Sequence, residues 1–145
     1  MGGAPADLIA FGYRQTHERV LALVDDLSDE QLAWRHSAVH SIAWNLWHLA
    51  RWADHLQERI PHMTAELGRR LGMSRQVWEA EGLAERAVDA VDDQQFRQPN
   101  ALEQAGPDTP TVGRALLAHL THDNRHLGEI ECLRGLQGLR GTATR

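Results

Sequence analysis

The chain has a single cysteine, Cys132, in 145 residues, so no internal disulfide can form and a reducing cytoplasm is the expected compartment. It has no apolar run near the roughly 18–20 residues that a membrane helix needs, so no membrane contact is expected. The N-terminal MGGAPADLIA lacks a charged stretch followed by an apolar core, and no signal peptide is expected. Also missing are a basic block and any interleaving of basic with aromatic residues. The formal net charge is −5, so nucleic acid is not the expected partner. Alternation of apolar and polar residues over four to eight positions is absent, which leaves no strand signal. There is no internal repeat and no low-complexity tract.

What the sequence has is helical periodicity, in a length that fits one domain with a sizeable core. Five tryptophans are many for this length; such rings fill cores, but also line pockets and interfaces. A first helix is predicted from about Pro5 to Leu27, with Ile9, Tyr13, Thr16, Val20, Leu23 and Leu27 as its apolar stripe. His17 lies beside that stripe and reads as a flank residue. Ser28-Asp29-Glu30-Gln31 fits a capping box opening a short turn, anchored by Leu32 and Trp34. A second long helix is predicted from about Ser41 to Ile60, capped by Ser41 or Ser37 and stopped by Pro61. Its stripe is Ile42, Leu46, Leu49, Ala53, Leu56 and Ile60; Asn45, His48 and Trp52 run along one border. His55 lies two turns beyond His48 as a substitute for it, with Arg59 marking the approach to solvent. Pro61 to Met73 reads as a crossover with some helical turns, Ser74 to Val91 as a third helix with Val77, Ala84, Val88 and Val91 inward, and Gln94 to Asp108 as a loop.

The densest chemistry lies in HLTHDNRHLGEIECLRGLQG, His119 to Gly138. It reads as the second half of a helix opened by Thr109 and Pro110 and closed at Gly138. His122 and His126 are four apart, hence on one side of a helix and able to share a metal ion. The glutamate of the HExxH protease motif is absent, since Asp123 follows His122. Val112, Leu116, Ile130 and Leu133 share a stripe that also contains His119 and His126, with His122 at its edge. Imidazoles so placed need partners. A metal is one; hydrogen bonds to Asp, Asn or backbone are another.

SIAWNLWHLARWAD (Ser41 to Asp54), the His119 to Gly138 segment and the stretch Leu27 to Leu32 together resemble the signature segments of the DinB-like superfamily. This is a group of bacterial damage-inducible and thiol-transferase-like proteins. The resemblance implies an all-α fold: a four-helix bundle with helices two and three parallel and a long crossover between them. It implies metal ligands from helix two and helix four, here His48, His122 and His126, and often a homodimer. It also implies a low-molecular-weight thiol as cofactor or nucleophile in the characterised members. Ala53 departs from the acidic residue expected beside Asp54, and the middle of the chain is short for the family.

Three imidazoles suit Zn²⁺, Ni²⁺ or Fe²⁺ and leave one position open for water or substrate. A divalent metal there lowers the pKa of a bound water or thiol. Asn45, Trp52, His119 and Asp123 are candidates to hold the ligands' other ring nitrogens. Three functions fit: a metal-dependent thiol S-transferase acting on a small-molecule substrate, a metal-dependent hydrolase, and a non-enzymatic stress-associated bundle with a structural or sensory metal. An open cleft beside the three histidines would favour the first, a sealed site the third. On helix two, Trp47 and Ala43 point away from the stripe, with Trp44 at its border. This patch is expected to be covered either within the monomer or by a second copy.

Overall fold

The computed structural model describes residues 4–71, 88–102 and 110–142. Six helices lie among them: α1 (Pro5–Val24), α2 (Asp29–Ala33), α3 (Ile42–Met63), α4 (Ala65–Leu71), α5 (Asp93–Phe96) and α6 (Val112–Leu136). No strand occurs among the described residues; one isolated antiparallel bridge joins Pro99 to Thr111.

Local chemistry explains most boundaries. Pro5 opens α1, where its missing N–H costs nothing. Ser28 caps α2 in a full capping box: its hydroxyl accepts from Gln31 N, and the Gln31 side chain accepts from Ser28 N. Ser41 caps α3 by accepting from Trp44 N at 3.1 Å. The alternative cap, Ser37, instead sits in the left-handed region at φ 54°. Thr111, rather than Thr109, caps α6 by accepting from Arg114 N; Thr109 lies outside the described residues. Gly138 has φ +74°, and Leu139 N–H reaches Arg134 O while Gly138 N–H reaches Gly135 O, a Schellman closure of α6.

Two predicted boundaries are corrected. Pro61 does not stop the second helix, which continues to Met63. Ile60 and Met63, at 0% and 2% exposure, gain more from burial than the one backbone bond a proline removes. The predicted loop from Gln94 begins inside α5, because Asp92 accepts from Gln95 N and caps a turn there. The predicted third helix, Ser74 to Val91, falls mostly outside the described residues; Val88 and Val91 at its end are buried.

Three long helices frame the site. Contacts of α1 with α6 advance together along both chains, from Tyr13–Leu116 through Thr16–Asn124 to Arg19–Glu131, so these two run parallel. Contacts of α3 with α6 advance oppositely, from Asn45–His126 through His48–His122 to Trp52–His119, so these two are antiparallel. The apolar core is split. One cluster holds Tyr13, Leu56, Ile60, Val112 and Leu116; the other holds Val20, Leu23, Ile42, Leu49, Ile130 and Leu133. Between them lies a polar belt built from Thr16, Asn45, His119 and Asp123, all buried. At the far end Arg134, 4% exposed, ties α6 to the end of α1. Its Nη1 donates to Leu23 O at 2.5 Å, and its two Nη atoms fork onto Asp26 at 2.6 and 3.1 Å.

Candidate metal centre

The polar belt brings His48 of α3 to His122 and His126 of α6. One ligand atom from each lies within 4.8 Å of the other two. All three rings are half-buried: His48 and His122 as their places at stripe edges require, and His126 although its position falls within the α6 stripe. His48 Nε2 and His122 Nε2 are 3.1 Å apart. Two nitrogens each about 2.0–2.1 Å from a common ion, at angles near 90–110°, are about 2.8–3.4 Å apart. The spacing of these two therefore fits a shared divalent ion.

In His126 and His122 the other ring nitrogen is occupied, and this decides which nitrogen faces the centre. His126 Nδ1 donates to Asn45 Oδ1 at 2.6 Å. Asn45 is fully buried, and its amide orientation is set because Nδ2 donates to Ser41 O at 3.0 Å. His122 Nδ1 donates to Asp123 Oδ1 at 3.3 Å. Both rings thus carry their proton on Nδ1 and turn a lone pair on Nε2 inward. His48 is held by stacking: Trp44 lies 4.6 Å from it, 12° from parallel, and His40 stacks on Trp44 at 3.6 Å. These three are spaced four apart, so one face of α3 and the chain leading into it carry the whole column.

Asp123 is 1% exposed, not a surface acid. Its oxygens lie 3.3 Å from His122 Nδ1, 3.4 Å from His17 Nε2 and 3.5 Å from His119 Nδ1. His17 therefore flanks the centre through Asp123 and takes no part in the triad. His119 Nε2 donates to Trp52 O at 3.0 Å, while its Nδ1 faces the Tyr13 hydroxyl at 3.0 Å. The Tyr13 hydroxyl is pushed well above its ordinary pKa by burial, with the Asp123 charge adding to it. Burial is also the largest cause that lowers the pKa of His48, His119 and His126, and neighbouring imidazoles push the same way. Neutral rings are the form that ligates metal.

An open cleft of about 280 Å³ adjoins His122, with Trp52, Leu56, Met63, Leu102 and Ala115 among its walls. Trp52, 38% exposed, is a cleft wall rather than core filler; its ring is 5.0 Å from that of His122. His55 also lines the cleft, and lies outside the triad. Two contacts were not foreseen: Glu129 Oε2, 3.3 Å from His126 Nδ1, and the His40–Trp44 stack. The spacings of three and four that generate them were visible in the sequence.

No curated protein and no solved structure matches the chain. A family model of the DinB superfamily matches residues 13–130, a span that takes in all three converging histidines together with Asn45 and Asp123. On that match, which covers most of the sequence, the chain belongs to the DinB superfamily.

Proposed function

We propose that His48, His122 and His126 bind one divalent metal ion and that the chain is a metal-dependent thiol S-transferase-like enzyme acting on a small molecule. The carrying observation is the convergence of three imidazoles beside an open cleft. A purely structural metal needs no cleft at its edge, so this arrangement favours catalysis over the non-enzymatic reading. When bound, the ion supplies Lewis acidity at the position that three protein ligands leave open. Asn45 and Asp123 hold the Nδ1 protons of His126 and His122, which keeps both rings in the ligating tautomer. Trp44 fixes the plane of His48. Trp52 and the apolar wall opposite it exclude water from one side of a bound substrate.

The same reading takes the chain as a four-helix bundle with helices two and three parallel. In a simple up-down-up-down bundle the first and last helices are antiparallel; here they are parallel, which supports one long crossover.

Elemental analysis of the purified protein, with His48→Ala, His122→Ala and His126→Ala beside it, tests the ligand set. One equivalent in the wild type and near-complete loss in each variant is expected. Equal metal content in wild type and His126→Ala would refute the triad. A conjugation screen of low-molecular-weight thiols against electrophiles then tests the reaction class. Hydrolysis of esters or amides without thiol dependence would favour the hydrolase reading instead.

A further inference from the structure

Resting on that reading of the site, we propose that the substrate or thiol occupying the cleft carries a carboxylate, bound by Arg59, at the end of an apolar body that leads back to the three histidines. Arg59 and His122 both line the cleft. Between them the described wall is mainly apolar: Leu56, Met63, Leu102, Ala115 and Ala118. No acidic side chain is among the described residues of the wall, so its only formal charge there is the Arg59 guanidinium.

Arg59 forms no ion pair among the described residues. Its one hydrogen bond among them is donated by Nη1 to His55 Nε2 at 3.2 Å. An arginine has five N–H donors in a planar fork suited to a carboxylate, so most of that capacity remains to be used. Because His55 Nε2 accepts from Arg59, the proton of the neutral His55 ring is on Nδ1. His55 thereby supports Arg59 without cancelling its charge. Small residues on the facing helix, Ala115 and Ala118, keep the space between the arginine and the histidines open.

The geometry also sets a length. Arg59 follows His48 by eleven positions on α3, a rise of about 16 Å. Helix side chains lean toward the N-terminus, so the Arg59 guanidinium reaches back several ångströms toward the histidines, which leaves on the order of 10 Å between the carboxylate and the reacting atom. A thiol with six to nine methylenes, or a ring and a short chain, spans that gap.

The test uses 8-mercaptooctanoic acid and 8-mercaptooctan-1-ol, which share a thiol and an apolar body and differ in charge. Binding of both to the purified protein is measured by isothermal titration calorimetry at neutral pH. The acid is expected to bind about tenfold more tightly, the lower end of what hydrogen bonds to a charged partner contribute. Arg59→Leu should erase the preference while leaving the affinity for the alcohol and the metal content unchanged. Arg59→Lys should restore part of it. Equal affinities in the wild type, or a preference that survives Arg59→Leu, would overturn the proposal. Should the wild type hold no metal yet still prefer the acid, the metal reading fails and the Arg59 assignment stands.

Discussion

Replacing Asn45 by Leu should weaken metal binding without unfolding the protein. Asn45 is fully buried and spends its two polar atoms separately. Its Oδ1 accepts from His126 Nδ1 at 2.6 Å, and its Nδ2 donates to Ser41 O at 3.0 Å. Ser41 O also accepts the backbone N–H of Asn45 at 3.1 Å, so the Leu variant leaves that carbonyl partnered. Leu has the same number of side-chain heavy atoms as Asn but a larger volume; it joins the cluster of Ile42, Leu49 and Ile130, and that apolar contact offsets part of the lost hydrogen bonding and the tighter packing. The metal-free protein should lose no more than about 2 kcal/mol of stability. His126, by contrast, loses the acceptor that fixes its tautomer; Glu129 at 3.3 Å is a half-exposed substitute. Losing such a partner typically costs 10–100-fold in metal affinity, or about 1.4–2.7 kcal/mol. The assay is competition for Zn²⁺ against a chromophoric chelator, paired with urea unfolding of the chelated protein. Asn45→Asp serves as the control, since a carboxylate is a stronger acceptor and should hold or raise affinity. Unchanged zinc affinity in Asn45→Leu would show that His126 is not oriented by Asn45, and the tautomer argument would fall with it.

Three further outcomes follow from the structure. His48, His119 and His126 all have pKa values below the ordinary histidine value. The unfolded chain therefore binds protons first as pH falls through about 6.5, and the metal-free protein should be stable above that pH and lose stability below it. Thermal melts of the chelated protein from pH 8 to pH 5 check this, and a flat profile contradicts it. Metal-derived stability should follow the same sign, so chelator should lower the melting temperature at pH 8 and have little effect at pH 5. Arg134→Met should destabilise by about 2 kcal/mol in urea unfolding. Breaking a fully buried pair costs about 3–5 kcal/mol, but Asp26 is 63% exposed and can rehydrate.

The stripes and caps were legible because they depend on short-range spacing. Ile42, Leu49, Leu56 and Ile60 on α3, and Val112, Leu116, Ile130 and Leu133 on α6, are buried as periodicity predicts. His48, His122 and His126 were assigned through the family resemblance, and the structure brings them together. Helix ends were less legible where tertiary burial outweighs a local signal. Pro61 is a stop signal in isolation, yet the packing of Ile60 and Met63 carries the helix past it. Asp123 was ambiguous for a similar reason: an acid on a helix is usually solvated, and only α1, with His17 and Tyr13, encloses it. The cleft was invisible, since it arises where α3 faces α6 across small residues and no single segment encodes it.

Trp47 stays 58% exposed among the described residues, beside the exposed Ala43 and the half-buried Trp44 on the same helix. Neither α1 nor the Leu32–Trp34 turn buries it, and we propose that a second copy does. A two-fold contact repeats the patch on both chains. Each Trp47 would remove about 140 Å² of apolar surface from water, worth about 3.5 kcal/mol, so the pair contributes about 7 kcal/mol. Association costs roughly 4–15 kcal/mol, so two rings alone do not give a tight dimer. The contact must extend to Ala43 and Trp44, and its dissociation constant should fall in the micromolar range. Trp47→Glu removes both rings and sets two like charges together, whereas Trp47→Phe keeps most of the apolar area. Sedimentation equilibrium should show a dimer for the wild type at about 100 µM, a nearly unchanged dimer for Trp47→Phe and a monomer for Trp47→Glu. A wild-type monomer at that concentration would mean that the exposed ring serves no self-association.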